Sequence, residues 1–224
     1  MSEVLRMTGS RNTTRKSAQR LVKYRYLTYF PRGYDPRRKK GYPLLLFLHG
    51  AGERGSKLGL VKKLGPIREI ERGRDLPFIV LAPQCPANGG WNAEALAALL
   101  DDFQAGHNVN PARVYLTGLS MGGHGVWMLA NAHPERFAAI APVCPPVLRN
   151  RVPGRFKDVP AWVFHGAMDS VVPITNSLTM VRAIRKAGGS VRLTIYPDAG
   201  HDSWTQAYGN PALYRWFLKH RRKA

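Results

Sequence analysis

The run Val114-Tyr115-Leu116-Thr117-Gly118-Leu119-Ser120-Met121-Gly122-Gly123 carries the strongest chemical signal in the chain, because an apolar strand enters Gly-x-Ser-x-Gly and leaves it as a helix-compatible segment. In that setting Gly118 and Gly122 let the backbone fold sharply around Ser120 and lift its hydroxyl above a sheet edge. The same turn points the Met121 amide into the site and sets Ser120 at a helix N-terminus, where developing negative charge is favoured. A tight strand-to-helix turn without chemistry would use the same glycines. A serine hydroxyl is a poor nucleophile near neutral pH, so nucleophilic chemistry here requires a base and an orienting acid further along the chain.

Seven histidines compete for the base, at positions 49, 107, 124, 133, 165, 201 and 220. Only His201 follows a late strand through a turn, Pro197-Asp198-Ala199-Gly200, that returns an imidazole over the C-terminal edge of a parallel sheet. His49 and His165 each precede a glycine at a strand end, where a ring more often braces a loop. His124 lies one turn along the helix after Ser120 and would border the pocket. For the acid, Asp169 closes the loop after Trp162-Val163-Phe164-His165-Gly166 and is placed to accept the Nδ1 proton of His201. Asp158 precedes that strand, at the wrong edge, whereas Asp198 and Asp202 share the histidine loop and are better placed to shape it.

An acyl-transfer site also needs donors for the oxyanion, and losing one typically costs about 2.7–4 kcal/mol of transition-state stabilisation. The stretch His49-Gly50-Ala51-Gly52-Glu53-Arg54-Gly55 follows the apolar run Leu44–Leu48 and offers the amide of Ala51, with Gly52 next, beside that of Met121. Glu53 and Arg54 are expected to pair with each other or with the nucleophile turn. A phosphate cradle is disfavoured, since neither Gly-x-Gly-x-x-Gly nor a Gly-Lys-Ser/Thr ending is present.

The elements that must position these residues alternate short apolar runs with longer amphipathic ones, the signature of an α/β sheet. Strands are predicted at 24–30, 44–49, 78–82, 113–118, 137–142, 161–165 and 191–196. Most are nearly continuous apolar runs, as central parallel strands covered on both faces should be. Helices are predicted at 93–105, 121–132, 174–187 and 212–220, with Asn92 as a cap and Pro173 as a first-turn proline. The stretch 57–72 contains helix interrupted at Gly65-Pro66. With 224 residues, 44% of them hydrophobic, the chain suits one domain over residues 24–224, preceded by a basic and mobile tail over 1–23.

The net charge of +20 is concentrated at the ends. Residues 1–43 hold twelve Lys or Arg against Glu3 and Asp35, and residues 215–224 hold five against none, which leaves only +5 for the body. Such a field draws anionic polymers at low salt. The basic segments nonetheless lack any helix-turn-helix, zinc or aromatic-glycine recognition pattern, so nucleic acid is disfavoured as a partner. Cys85 and Cys144 are too few and too far apart for a metal cluster, and they fit either two buried thiols or one disulfide. No apolar run approaches the ~18 residues of a membrane span. The first twenty residues contain no apolar leader, which taken at face value indicates the cytoplasm, or secretion if a leader was removed.

Five ordered motifs name a family. Phe47-Leu48-His49-Gly50-Ala51-Gly52-Glu53-Arg54-Gly55, Ala82-Pro83-Gln84-Cys85-Pro86, Gly118-Leu119-Ser120-Met121-Gly122-Gly123, His165-Gly166-Ala167-Met168-Asp169 and Tyr196-Pro197-Asp198-Ala199-Gly200-His201 resemble the α/β-hydrolase esterases of the phospholipase/carboxylesterase and polyhydroxybutyrate-depolymerase-like group. Bacterial feruloyl and acetylxylan esterases are relatives of that group. The resemblance covers about residues 24–221. It implies a mostly parallel sheet of about eight strands with helices on both faces, a Ser120–Asp169–His201 triad and cofactor-free, metal-free hydrolysis of a small-molecule or polymer-linked ester. His124 departs from the aromatic residue often found after the nucleophile turn. Only about eighteen residues separate Pro142 from Ala161, which leaves no room for a cap domain and points to short acyl chains or polymer side groups. Gln84, Trp91 and Trp204 lie in loops at the ligand edge and are candidate substrate contacts, although packing under loops explains the tryptophans as well. A serine peptidase with the same triad, or a basic binding protein on a dead scaffold, are the competing functions.

Overall fold

The computed structural model describes residues 5–8, 24–148 and 157–222. Its frame is one eight-stranded sheet, in the order β1-β2-β4-β3-β5-β6-β7-β8. The strands are β1 (Leu5–Thr8), β2 (Arg25–Tyr29), β3 (Tyr42–Leu48), β4 (Ile79–Gln84), β5 (Val109–Leu119), β6 (Ala139–Val143), β7 (Ala161–Gly166) and β8 (Val191–Tyr196). β2 pairs antiparallel with both β1 and β4, and the pairings from β4 through β8 are parallel. Helices α1 (Gly65–Glu71), α2 (Ala93–Gly106), α3 (Met121–Ala132), α4 (Thr175–Lys186), α5 (Trp204–Gly209) and α6 (Pro211–Lys219) cover the two faces.

The apolar runs explain the layering. Every residue of β3 is buried, and successive side chains serve opposite faces: Leu44, Leu46 and Leu48 pack toward α2 and α3, whereas Leu45 and Phe47 pack toward α1, α5 and α6. A strand that is covered twice has no use for a polar alternation. Asn92 caps α2 by accepting from the Ala95 amide at 2.9 Å, as its position predicts. Pro173 lies just before the Ile174 cap rather than inside the first turn of α4, and its carbonyl accepts from the Asn176 amide.

Three differences from the sequence expectation have local causes. β3 and β5 begin earlier than predicted and take in Pro43 and Pro111, because the register slips between Tyr42 and Leu44 and so accommodates residues that cannot donate to a ladder. Within the segment read as a tail, Leu5–Thr8 pair with Tyr26–Tyr29 and extend the sheet edge; four residues are too short a run to register as a strand pattern. The other residues of 1–23 lie outside the described residues. α5 was not anticipated, since six residues after His201 carry no helical period of their own. The connection from β6 to β7 is residues 144–160, too short for a cap domain.

Candidate active site

Central β5 delivers Ser120 to the C-terminal edge of the sheet. The residue has φ 52° and ψ −117°, a strained conformation for a side chain larger than glycine, and it is held there from both sides. Its amide donates to the Val143 carbonyl at 3.0 Å, and its own carbonyl accepts from the His124 amide at 3.0 Å. The flanking glycines are steric necessities. A Cβ on Gly122 would stand 1.9 Å from the Leu48 carbonyl oxygen, and one on Gly118 would stand 2.6 Å from that of Gly122. The nucleophile turn therefore lies directly against the end of β3.

Two neighbouring loops bring in the other members. Gly166 ends β7, and a Cβ there would meet the Gly200 carbonyl oxygen at 2.2 Å, so the loop carrying His201 rests on the end of β7. The amides of Ala167 and Met168 donate to the carbonyls of Tyr196 and Ala199, at 2.9 and 3.0 Å, and fasten the two loops together. In consequence His201 Nε2 stands 3.0 Å from Ser120 Oγ, and His201 Nδ1 stands 2.8 Å from Asp169 Oδ2. An ionised carboxylate only accepts, so Nδ1 carries the proton and Nε2 is free to accept the serine hydroxyl. Asp169 is buried, which alone would raise its pKa. Hydrogen bonds from His201 and from the Val172 and Val171 amides outweigh that burial and hold its carboxyl below the usual aspartate range. Trp204 packs edge-on against the His201 ring, centroids 5.2 Å apart, and fixes its plane.

The three residues singled out for nucleophile, acid and base are thus brought into one hydrogen-bonded line. Asp158, Asp198 and Asp202 are not on it; Asp202 instead caps α5 through the Thr205 amide at 3.0 Å. Ala51 opens a short 3-10 helix at Ala51–Glu53 and Met121 opens α3, and an amide in the first turn of a helix has no intrahelical acceptor. The two starts lie side by side, since a Cβ on Gly50 would meet Leu119 Cδ1 at 2.8 Å. Glu53 accepts from the Gly50 amide at 3.1 Å, and Arg54 donates to the carbonyls of Ala51 and Gly89 at 3.0 and 3.4 Å. Both hold the loop through its backbone instead of pairing with each other or with the nucleophile turn. Burial raises the Glu53 carboxyl, partly offset by the Gly50 amide.

Two expected substrate contacts turn inward. Gln84 is 2% exposed, and its amide nitrogen donates to the carbonyls of Glu53 and Lys57, both at 2.9 Å. Trp91 is 8% exposed, donates to the His49 carbonyl at 3.3 Å and packs against the His49 ring. Each props the 49–57 loop from below, because the loop needs a floor and these side chains supply it. The surface beside Ser120 is formed by other residues: Met121, His124, Pro146, Val147 and Leu148 line a cleft of about 590 Å3 with it. His124 therefore borders the pocket, while Pro146–Leu148 carry no motif that would mark them in sequence.

His49 and His165 are both fully buried. Cys144, at φ 38°, places its sulfur within 4.8 Å of a carboxylate oxygen of Asp169 and a ring nitrogen of His201. Burial pushes its thiol up to about 12, so it stays protonated and offers no rival nucleophile. Cys85 and Cys144 are both free and belong to the cores on opposite faces of the sheet, which removes the disulfide alternative. Among the described residues, no helix is long and apolar enough to cross a membrane.

Comparison with known proteins agrees with this architecture. Residues 148–223, about a third of the chain, match the model of the prolyl oligopeptidase family. A solved thermostable esterase is 32% identical, with a TM-score of 0.76 over 95% of this chain and 63% of that one. Probable feruloyl esterase C of Aspergillus terreus is 25% identical over 81% of this chain and 68% of its own length. Poly(3-hydroxyalkanoate) depolymerase C of Paucimonas lemoignei is 29% identical over 45% of this chain. The chain spans only 27% of that depolymerase. It has the α/β-hydrolase fold, and a probable feruloyl esterase and a polyhydroxyalkanoate depolymerase are among the proteins it resembles, in line with the group that the five motifs resemble.

Proposed function

We propose that this α/β-hydrolase is a serine carboxylesterase, cleaving short-chain or polymer-side-group esters through an acyl-enzyme. The observation that carries the reading is the line from Ser120 Oγ through His201 to Asp169, with both contacts at hydrogen-bond distance and Ser120 held in a strained turn. His201 Nε2 takes the hydroxyl proton as Ser120 Oγ attacks the ester carbonyl, and the negative charge on the carbonyl oxygen falls to the amides of Met121 and Ala51. Collapse expels the alcohol, which leaves with the proton held on Nε2. Water then gives a proton to Nε2, attacks the acyl group and releases the acid, with Ser120 reprotonated. Asp169 keeps the proton on Nδ1 and stabilises the imidazolium in both halves.

The cleft supports this substrate class. Pro146, Val147, Leu148 and Met121 give it an apolar lining beside Ser120, and the connection over residues 144–160 is too short to roof it with a cap. Feruloyl or acetylxylan esters are the narrower version of the same reading. A serine peptidase is the second reading, favoured by the prolyl oligopeptidase match over 148–223. Ser120→Ala is expected to reduce hydrolysis of p-nitrophenyl acetate and butyrate to background while the protein stays folded by circular dichroism. Activity that survives the substitution would refute the mechanism, and faster cleavage of amides than of matched esters would favour the peptidase.

A further inference from the structure

We infer that the active-site line continues behind Asp169 into His165 and Ser177, and that His165 is a positioning residue that fixes and tunes the carboxylate for His201. The inference rests on the reading of Ser120, His201 and Asp169 as the reacting group. His165 is the penultimate residue of β7, and Ser177 lies in the first turn of α4; both are completely buried. Neither takes part in the acyl chemistry.

The tautomer is fixed by its partners. His165 Nε2 stands 2.8 Å from the Val172 carbonyl oxygen, which can only accept, so Nε2 carries the proton. Nδ1 must then accept, and the Ser177 hydroxyl donates to it at 2.7 Å. The same Nε2 stands 3.3 Å from Asp169 Oδ2, the oxygen that receives the His201 proton. Burial lowers the His165 pKa, so the ring is neutral and presents an N–H dipole to the carboxylate.

His165 therefore acts on Asp169 in two ways. It anchors Val172 through its carbonyl, and the Val172 amide in turn donates to Asp169 Oδ1 at 2.8 Å. It also shares Oδ2 with His201, drawing electron density from the oxygen that stabilises the imidazolium. The titratable groups around Asp169 come from three elements: His165 on β7, the Cys144 thiol after β6, and His201 before α5. With Cys144 protonated, the neutral His165 is the second imidazole N–H that faces Asp169 Oδ2, beside that of His201.

The test is a titration of the His201 Cε1 proton by NMR in Ser120→Ala protein, which needs no turnover, run beside the pH profile of kcat/KM in the active protein. Removing the N–H dipole makes the carboxylate a stronger partner for a protonated imidazole. His165→Leu is expected to raise the His201 titration by about half a pH unit or more and to move the acid limb of kcat/KM by the same amount. kcat should fall roughly ten-fold with KM unchanged. His165→Gln, whose amide N–H reaches the same place, should restore most of both. Ser177→Ala, the milder change, should give a smaller shift in the same direction by weakening the polarisation of the ring, and it carries the test if His165→Leu does not fold. A folded His165→Leu or Ser177→Ala protein with an unmoved titration would overturn the inference, even if its activity is low. Wild-type protein inert toward every ester, with the titration shift intact, would overturn the esterase reading and leave the coupling standing.

Discussion

The dipeptide His-Gly ends two strands of this sheet, and the two copies do different work. His49-Gly50 closes β3 on the side of the Ala51 loop, and His165-Gly166 closes β7 on the side of the acid. Both imidazoles are buried and fully hydrogen-bonded, but in opposite tautomers. His49 donates from Nδ1 to the Gly50 carbonyl at 2.6 Å and accepts at Nε2 from the Cys85 amide at 2.9 Å, so its ring nitrogens serve only backbone, of its own loop and of the one after β4. His165 donates from Nε2 and reaches a carboxylate of the site itself. In the proposed mechanism one copy braces donors for developing negative charge, and the other braces the group that balances positive charge. The same two residues thus acquire their roles from what the neighbouring loop presents to them.

The glycines separate the two ends most sharply. A methyl on Gly166 meets only backbone, the Gly200 and Ala199 carbonyl oxygens at 2.2 and 2.3 Å, and neither can move without displacing His201. A methyl on Gly50 meets the end of the Leu119 side chain at 2.8 Å and Glu53 Oε2 at 3.3 Å, and both can rotate away. Gly166→Ala is therefore expected to cost about 3 kcal/mol in denaturant unfolding and most of the esterase activity, whereas Gly50→Ala should cost about 1 kcal/mol or less. Equal losses would mean that the two ends are equally rigid and that the contrast drawn here is false.

Protonation separates the imidazoles next. Burial pushes the His49 imidazole down to about 4. Its folded pKa is depressed, so the unfolded chain binds this proton first as pH falls. The stabilisation from neutral His49 is complete above about pH 6.5 and is lost progressively down to about pH 4, on the order of 2–3 kcal/mol across the window. His165 contributes with the same sign, since burial lowers it too. Urea midpoints measured from pH 7 to pH 4 should fall steeply for the wild type and less steeply for His49→Gln, whatever the absolute stability of the variant. Parallel curves would show that His49 is not buried neutral.

How much of this was legible in sequence divides along the same boundary. Ser120 and His201 could be read because their surroundings are local: glycines two residues either side of the serine, and a turn that delivers the histidine after a late strand. Asp169 followed from its place in the loop after a strand, at the same sheet edge as the histidine loop. Gln84 turns inward where a substrate contact was expected, and Trp91 takes the packing role that was its alternative, because a loop after a strand has two sides and which one a side chain takes depends on the loop folded above it. The link from His165 to Ser177 and Val172 was illegible for a similar reason. His165 reads as a brace, but what it braces is decided by how α4 docks beside β7. The cleft wall at Pro146–Leu148 has no motif because an apolar lining demands only shape.

The smallest effect tests the β3 end alone. Glu53 holds the Gly50 amide, but as a half-buried carboxylate whose pKa is raised by its partial desolvation. For an acid with a raised folded pKa, stability is fully present below the unfolded value and is lost as pH climbs through the folded one, so at neutral pH the charge works against the loop it caps. Glu53→Gln keeps an oxygen to accept from Gly50 and removes the charge. The variant should unfold at a slightly higher temperature than wild type at pH 7, with the difference vanishing near pH 4, and its kcat should be nearly unchanged because the backbone of Ala51 stays in place. Glu53→Ala, which leaves the Gly50 amide without its acceptor, should lose about 1 kcal/mol instead. If the glutamine variant is less stable than wild type at pH 7, the carboxylate's charge, and not only its oxygen, is what holds this end of the site, and the β3 end would then resemble the β7 end more closely than its backbone-only partners suggest.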